Sequence, residues 1–309
     1  MKSKSGGFLK GLISGIILTV FLVWLYPEMV PNRAAQNSSA GGGGGGNLTT
    51  LEKIRKAGVV RVGFANEAPY AYIDSKTGKL TGESPEIARV ILKRLGVKKV
   101  KGVLVEFGSL IPGLKAGRFD IIAAGMYITP PRCGQIAFSN PTYGIGEAFI
   151  VRKGNPLKLH SYEDIKKNRK VRFGVVTGAI EREYALKVGI PRSQIKVLPD
   201  TSSALEAVAA GRIDAYGGTS LTVRDLLKKA NNPRLEQALP FTDPVIDGKT
   251  ARGYGAYGFR KEDKALVTAF NQQLEQFVPS QEHLDLVKPF GFSEQELPGD
   301  VTAAGLCKG

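Results

Sequence analysis

Tyr127, Arg132 and Cys133 place an aromatic ring, a guanidinium and a thiol within seven positions of one another. They belong to Gly125-Met-Tyr-Ile-Thr-Pro-Pro-Arg-Cys133, which runs on into Phe138-Ser-Asn-Pro-Thr-Tyr143. The apolar run Asp120-Ile-Ile-Ala-Ala124 leads into this stretch and reads as a buried strand, and two prolines then break the chain. An Arg just past a buried strand can hold an anion, because its planar fork of donors matches a carboxylate bidentately. A surface Arg after a turn has the same local sequence, so the surrounding elements must decide between the two.

Those elements alternate. Thr49-Thr50-Leu51-Glu52 opens a short helix through Arg55, and Val59-Val-Arg-Val-Gly-Phe64 alternates as a strand. A Lys76-Thr-Gly-Lys79 turn separates two short strands. Ser84-Pro85 starts a helix with Ile87, Val90, Ile91 and Leu95 on one face. Val103-Leu-Val-Glu106 reads as the next strand, residues 110–117 as a helix, and residues 119–124 as the third strand. This βαβαβ order predicts a parallel sheet. The plan then repeats: Val171-Arg-Phe-Gly-Val-Val176 echoes residues 60–64, and Ala210-Gly-Arg-Ile-Asp-Ala215 echoes Ala116-Gly-Arg-Phe-Asp-Ile121. Between the echoes lie a helix from Glu181, a strand Ile195-Lys-Val-Leu198 and a helix over 204–210. Two copies of one α/β unit describe two lobes, 48–144 and 145–254, and residues 255–309 return to the first. Gly144-Ile-Gly146 and Gly253-Tyr-Gly255 supply glycines where a hinge would cross.

Ligands of open parallel sheets sit beyond the carboxyl ends of the strands. By that rule the first strand delivers Glu67 and Tyr70, the second Phe107, and the third Tyr127 and Arg132. Each aromatic alone fits a packing role. Three at equivalent strand ends, beside an acid and an Arg, form a box. Aromatic faces attract a desolvated cation by roughly 1–2 kcal/mol, and Arg132 can take a carboxylate. The implied ligand is small and zwitterionic.

Composition narrows the alternatives. In 309 residues, 43 Lys and Arg against 28 Asp and Glu give a net charge of +15. The basic residues are scattered, and no basic stripe is interleaved with aromatics, so a nucleic-acid platform is not expected. Solvated helix faces, near an anionic membrane surface, explain the excess. The two cysteines, Cys133 and Cys307, have neither the spacing nor the histidine company of a zinc site, and no metal or cofactor is expected. Outside the cytoplasm they would form a disulfide stapling the tail to the central motif. The other reading is two free thiols. His160 and His283 stand among polar residues and read as surface residues.

Residues 1–10 form a basic stub, and 11–26 are uncharged and end in aromatics. That is near the ~20 residues that span hydrocarbon, and the positive flank predicts a cytoplasmic N-terminus with the body outside. An uncleaved anchor is favoured over a cleaved signal peptide, since no small-x-small site comes directly after the apolar run. Residues 27–47, with six consecutive glycines, read as a flexible tether.

From residue 48 to 307 the chain resembles the type II solute-binding proteins of ABC importers, in the polar-amino-acid family. The motifs are Leu51-x-x-Ile-x-Lys-x-Gly58, Gly113-Leu-Lys-Ala-Gly-Arg-Phe-Asp120, Thr129-Pro-Pro-Arg132 and Phe138-Ser-Asn-Pro-x-Tyr143. The resemblance implies a bilobed periplasmic-binding-protein type II fold, with two parallel-sheet α/β lobes joined by a two-crossing hinge. It also implies that Arg132 holds a ligand carboxylate, that the protein is a monomer, and that its partners are the importer's permease subunits. Members that bind α-amino acids carry an Asp where this chain has Gly218-Thr219-Ser220, so a primary ammonium loses its usual counter-charge at Thr219.

Within that family the chain is most similar to the ectoine/hydroxyectoine-binding proteins. The motifs are Ala65-Asn-Glu-Ala-Pro-Tyr70, Glu106-Phe-Gly-Ser-Leu-Ile-Pro-Gly113, Gly125-Met-Tyr-x-x-Pro-x-Arg-Cys133, Val223-Arg-Asp-Leu-x-x-Lys-Ala-Asn231-x-Pro, and Pro289-Phe-Gly-Phe-Ser293 with a later Leu-Cys307. That likeness implies that Tyr70, Phe107 and Tyr127 enclose a charge-delocalised ring, with Glu67 on its N–H groups. Thr177, Gly178 and Ala179 are the second-lobe candidates. The Tyr and Phe choices depart from the subfamily's pattern. The expected function is therefore extracytoplasmic capture of an ectoine-like solute, without turnover. The alternatives are a polar amino acid or opine as ligand, or a cyclohexadienyl-dehydratase-like enzyme on the same scaffold, for which Glu67 is the only obvious first-lobe acid. A tethered sensor lacks support, with no signalling domain after the body.

Overall fold

The computed structural model describes residues 48–308, so the stub, apolar run and tether read from residues 1–47 lie outside it. In chain order the first part carries α1 (Thr50–Ala57), β1 (Val59–Phe64), a hairpin of β2 (Tyr72–Ile73) and β3 (Leu80–Thr81), α2 (Glu83–Arg94), β4 (Lys99–Leu104), α3 (Leu110–Lys115), β5 (Ile121–Tyr127), α4 (Pro130–Cys133), β6 (Ala137–Phe138) and β7 (Tyr143–Ile145). The second part carries β8 (Glu147–Arg152), α5 (Tyr162–Lys167), β9 (Phe173–Val176), α6 (Glu181–Val188), β10 (Ile195–Leu198), α7 (Thr201–Ala209), β11 (Ala215–Thr219), α8 (Ser220–Ala230) and β12 (Leu235–Gln237). A small ribbon of β13 (Val245–Ile246) and β14 (Lys249–Thr250) leads to β15 (Gly253–Phe259), and then to α9 (Lys264–Phe277), α10 (Gln281–Val287) and α11 (Ala303–Leu306).

Local chemistry explains the helix ends. Thr49 and Glu52 form a reciprocal capping box at the start of α1. Asp200 caps α7 and Thr219 caps α8 through side-chain oxygens. Gly58 and Gly189 close α1 and α6 in the left-handed conformation.

Two sheets form, both mixed. The first has the order β4-β1-β5-β15-β6, with β7 also on β15. β4, β1 and β5 are parallel, and β15 runs antiparallel to β5. The second has the order β10-β9-β11-β8-β12, with β8 antiparallel to the parallel triplet on one side and to the edge strand β12 on the other. The parallel trio expected from the sequence is thus present in each sheet. The strands that cross between the sheets add the antiparallel members. Every residue of β5 is buried, because helices cover both faces. α1, α2 and α9 pack on one face through Leu51, Ile87, Ile91 and Phe270. α3 packs on the other through Leu110 and Leu114, with Phe119 and the tail residue Leu306 in the same cluster.

Pairing places residues through Ile145 in the first sheet and Glu147 onward in the second. The two crossing strands lie side by side, Ile145 opposite Gly253 and Tyr143 opposite Gly255. Arg252 clamps this seam, donating to the Gly144 and Gln295 carbonyls at 2.6 and 2.7 Å. Cys133 and Cys307 form a disulfide across 174 residues, with Cα atoms 5.7 Å apart.

Two expectations need correction. β4 spans Lys99–Leu104 rather than 103–106, because this edge strand is lysine-rich and half solvated. His283 is not a surface residue: it is 3% exposed, and its Nδ1 lies 2.8 Å from the Val278 carbonyl beside the Phe277 ring. His160 is half-buried.

Candidate functional site

The carboxyl ends of β1, β4 and β5 face the start of α6 and the end of β11 across a cleft. Its inner wall is formed by Glu67, Tyr70, Phe107, Gly125, Tyr127 and Arg132 from the first lobe. The second lobe adds Val176, Ala179, Ile180, Glu181, Tyr216 and Thr219. The cavity left between them is about 30 Å³.

Tyr70 is 2% exposed and stacks on Tyr143, with ring centroids 5.1 Å apart. The Tyr143 hydroxyl donates to the Gly125 carbonyl at 2.8 Å. Gly125 has φ +63°, and a Cβ there would lie 2.7 Å from the Tyr70 ring, so both backbone and space require glycine. Tyr127, at the end of β5, lies across Gly253 with its hydroxyl buried and unpartnered.

The turn after β5 aims Arg132. Thr129 caps α4, and the guanidinium folds back to donate to the Tyr127 carbonyl at 2.8 Å. It also donates across the cleft to the Gly178 carbonyl at 2.9 Å, with its Cζ 5.6 Å from the centre of the Phe107 ring. Burial pulls its pKa down from the ordinary arginine value. Among the described residues it makes no salt bridge. A half-buried guanidinium that has spent only part of its five donors, all on carbonyls, can still take an anion.

Glu67 accepts from the Thr222 hydroxyl at 2.8 Å, and burial pushes its pKa up to about 6. The Tyr70 hydroxyl donates to Thr219 Oγ1 at 2.8 Å. Arg132–Gly178, Glu67–Thr222 and Tyr70–Thr219 are thus hydrogen bonds that join the two lobes.

The cavity wall brings together Glu67, Tyr70, Phe107, Tyr127, Arg132, Ala179 and Thr219 from the residues singled out by sequence. Thr177 and Gly178 stand outside it. The Thr177 hydroxyl is turned to the Leu198 carbonyl at 3.1 Å, and Gly178 offers only its backbone oxygen to Arg132. Sequence reasoning missed Glu181 and Tyr216. Glu181 is 5% exposed, its Oε2 is buried and unpartnered, and burial pushes its pKa up to about 8. The signal for it was its place four residues past Thr177, at the foot of the same turn.

Two lobes meeting over a small, polar-ended aromatic cleft define a solute-binding protein. The chain belongs to the bacterial extracellular solute-binding proteins, family 3, whose model matches residues 60–292. It is 39% identical over 262 residues to a probable amino-acid ABC transporter periplasmic-binding protein of Sinorhizobium fredii, covering 84% of this chain and 86% of that one. The crystal structure of EhuB in complex with hydroxyectoine superposes with a TM-score of 0.75 at 38% identity, covering 84% of this chain and 97% of that one. An ancestral amino acid-binding protein, AncCDT-1, described as a precursor of cyclohexadienyl dehydratase, superposes with a TM-score of 0.68 at 28% identity, covering 78% and 99%. The chain is a solute-binding protein of the ABC amino-acid transporter family and not an enzyme. Proteins of this family work outside the cytoplasm, bind small ligands and deliver them to permease subunits. Among the described residues no helix is long and apolar enough to cross a membrane.

Proposed function

We propose that this protein captures a small zwitterion of the ectoine kind between its lobes and presents it to an importer permease. The observation that carries the reading is the opposed polarity of one aromatic cleft. Arg132 stands unpaired by any carboxylate among the described residues, while Glu67 and the Tyr70, Phe107 and Tyr127 rings offer a place for delocalised positive charge. The likeness to EhuB, a hydroxyectoine binder at 38% identity, supports it. A 30 Å³ cavity is far smaller than a typical ligand site. Entry therefore requires the lobes to part or the lining side chains to turn, with the crossing strands at Ile145 and Gly253 as the place to bend.

Isothermal titration of the full chain with ectoine, hydroxyectoine, proline, polar amino acids and opines tests this. Micromolar or tighter binding of the ectoines is expected. Binding of an α-amino acid or opine with no response to the ectoines would transfer the site to that ligand class. Residues 11–26 act, in this reading, as an uncleaved membrane anchor with 27–47 as its tether, and the body works as a monomer. Recovery of the protein from the soluble periplasmic fraction, without residues 1–26, would refute the tether.

A further inference from the structure

Glu181 has no part in the anion fork or the aromatic box, yet it lines the same cavity, is 5% exposed, and carries a buried oxygen with no hydrogen-bond partner. An acid in the first turn of a helix ordinarily serves the helix dipole. It does that equally well exposed to water, so the dipole does not explain why this one is buried. Leaving a carboxylate unpaired in a closed site costs stability, and proteins retain such groups where a ligand uses them. The groups around it come from every neighbouring element. Arg132 lies past β5, Glu67 past β1, Glu147 on β8, Tyr162 on α5, Tyr216 on β11, and Tyr184 on α6 itself. Among the described residues no cation forms a salt bridge with it.

We propose that Glu181 is the second-lobe acid of this cleft, facing the ligand's cationic end together with Glu67 and restricting the site to cations that carry N–H donors. The inference rests on the zwitterion reading of the cleft. The acid absent at Thr219 is replaced from a different element, the start of α6. Two carboxylates on opposite lobes accept from an amidinium, guanidinium or protonated amine. A fully alkylated ammonium has no N–H, and would leave both acceptors desolvated and unpaired. Burial, with the Glu147 carboxyl close by, raises the Glu181 pKa well above the ordinary carboxylate value, so this pair of acids holds a proton near pH 7 before the ligand arrives. Binding a cation ionises Glu181, and that proton passes to the buffer. Glu67, at about 6, is already largely ionised at pH 7 and contributes little.

The test is calorimetry of the full chain at pH 7 with ectoine, arginine and glycine betaine, each in phosphate and in Tris buffer. The dependence of the observed heat on buffer ionisation enthalpy counts protons released. Wild type should bind at least one N–H cation, reject glycine betaine, and release close to one proton. Glu181→Gln should release almost none and bind the N–H cation roughly 10- to 100-fold more weakly. Without ligand it should melt no lower than wild type, since it loses only an unpaired buried acid. An unchanged proton count, unchanged preference, or a lower unliganded melting temperature in Glu181→Gln overturns the inference and leaves the zwitterion reading standing. Failure of wild type to bind any of the three ligands brings down that reading, and this inference with it.

Discussion

The Tyr70 hydroxyl donates to Thr219 Oγ1 at 2.8 Å across the cleft. Thr219 also caps α8 by accepting from the Thr222 amide, and Thr222 in turn donates to Glu67. One short chain of hydroxyls therefore ties the first lobe's acid and aromatic wall to a helix start in the second. Tyr70→Phe keeps the ring stacked on Tyr143 but removes the link. A neutral hydrogen bond is worth about 1 kcal/mol net. Ectoine affinity should therefore fall roughly fivefold, with small-angle scattering showing a more open unliganded protein. Unchanged affinity and unchanged radius of gyration would mean that the link carries no closing energy.

Gly253 lies under the Tyr127 ring, where a Cβ would come 1.7 Å from a ring carbon. No rotamer shift of a few tenths of an ångström relieves such an overlap, so Gly253→Ala must displace the ring. Overpacking of this kind typically costs about 1–3 kcal/mol. The variant should melt lower and lose ligand binding to nearly the extent of Tyr127→Ala. Retention of wild-type affinity in Gly253→Ala would show that Tyr127 does not touch the ligand.

The aromatic and arginine side of the cleft was legible because strand ends are legible. β5 is apolar over its whole length, and the residues just past a doubly buried strand must emerge at the sheet's carboxyl edge. The repeat of Gly-Arg-Phe/Ile-Asp likewise exposed the two-lobed plan. Glu181 was not legible, because a glutamate opening a helix looks like an ordinary dipole partner. Its burial shows only in three dimensions, where it lines the cleft among Glu147, Tyr162 and Tyr216. β4 misled for a related reason: its Lys99 and Lys101 belong to an edge strand whose outer face is wet. His283 misled because its polar neighbours face solvent while the ring turns under Phe277.

Glu83 is 1% exposed behind the cleft, accepting from the Ser84 and Thr142 hydroxyls at 2.6 Å each. Burial pushes its pKa up to about 7, from an ordinary value of 4.5. Between those values the folded state holds a proton that the unfolded chain has lost, so stability falls as pH rises through this window. Glu67 and Glu181 act in the same sense. The unliganded protein should therefore melt higher at pH 5 than at pH 8. Glu83→Gln should remove part of that slope, on the order of a few kcal/mol at most. A profile unaltered by Glu83→Gln would place the proton uptake elsewhere.

The Cys133–Cys307 bond closes a span of 174 residues and pins the turn that carries Arg132 to the tail. Cross-links over long loops restrict the unfolded chain, and removing one typically costs about 2–5 kcal/mol. Cys133→Ser/Cys307→Ser should lower the melting temperature by several degrees while ligand affinity at room temperature falls little, because Thr129 still caps α4 and Tyr127 still holds the guanidinium. A large affinity loss at full occupancy of the folded state would instead make the disulfide a positioning device for the site.

Arg132 donates to the Tyr127 and Gly178 carbonyls and to no carboxylate among the described residues. Those two bonds orient the fork but leave its charge without a counter-ion in a partly buried setting, an arrangement that weakens the unliganded fold and rewards an incoming anion. Affinity and stability should therefore move apart on substitution. Arg132→Lys keeps the charge and loses the bidentate fork, and should bind ectoine roughly 100-fold more weakly, about 3 kcal/mol. Arg132→Ala should abolish measurable binding. Neither should lower the unliganded melting temperature as much as an ordinary buried deletion, since the loss of two carbonyl bonds is offset by removal of a desolvated cation. Calorimetry and thermal melting on the same samples check both halves. Parallel losses of stability and affinity would assign Arg132 to lobe closure rather than to the ligand's carboxylate.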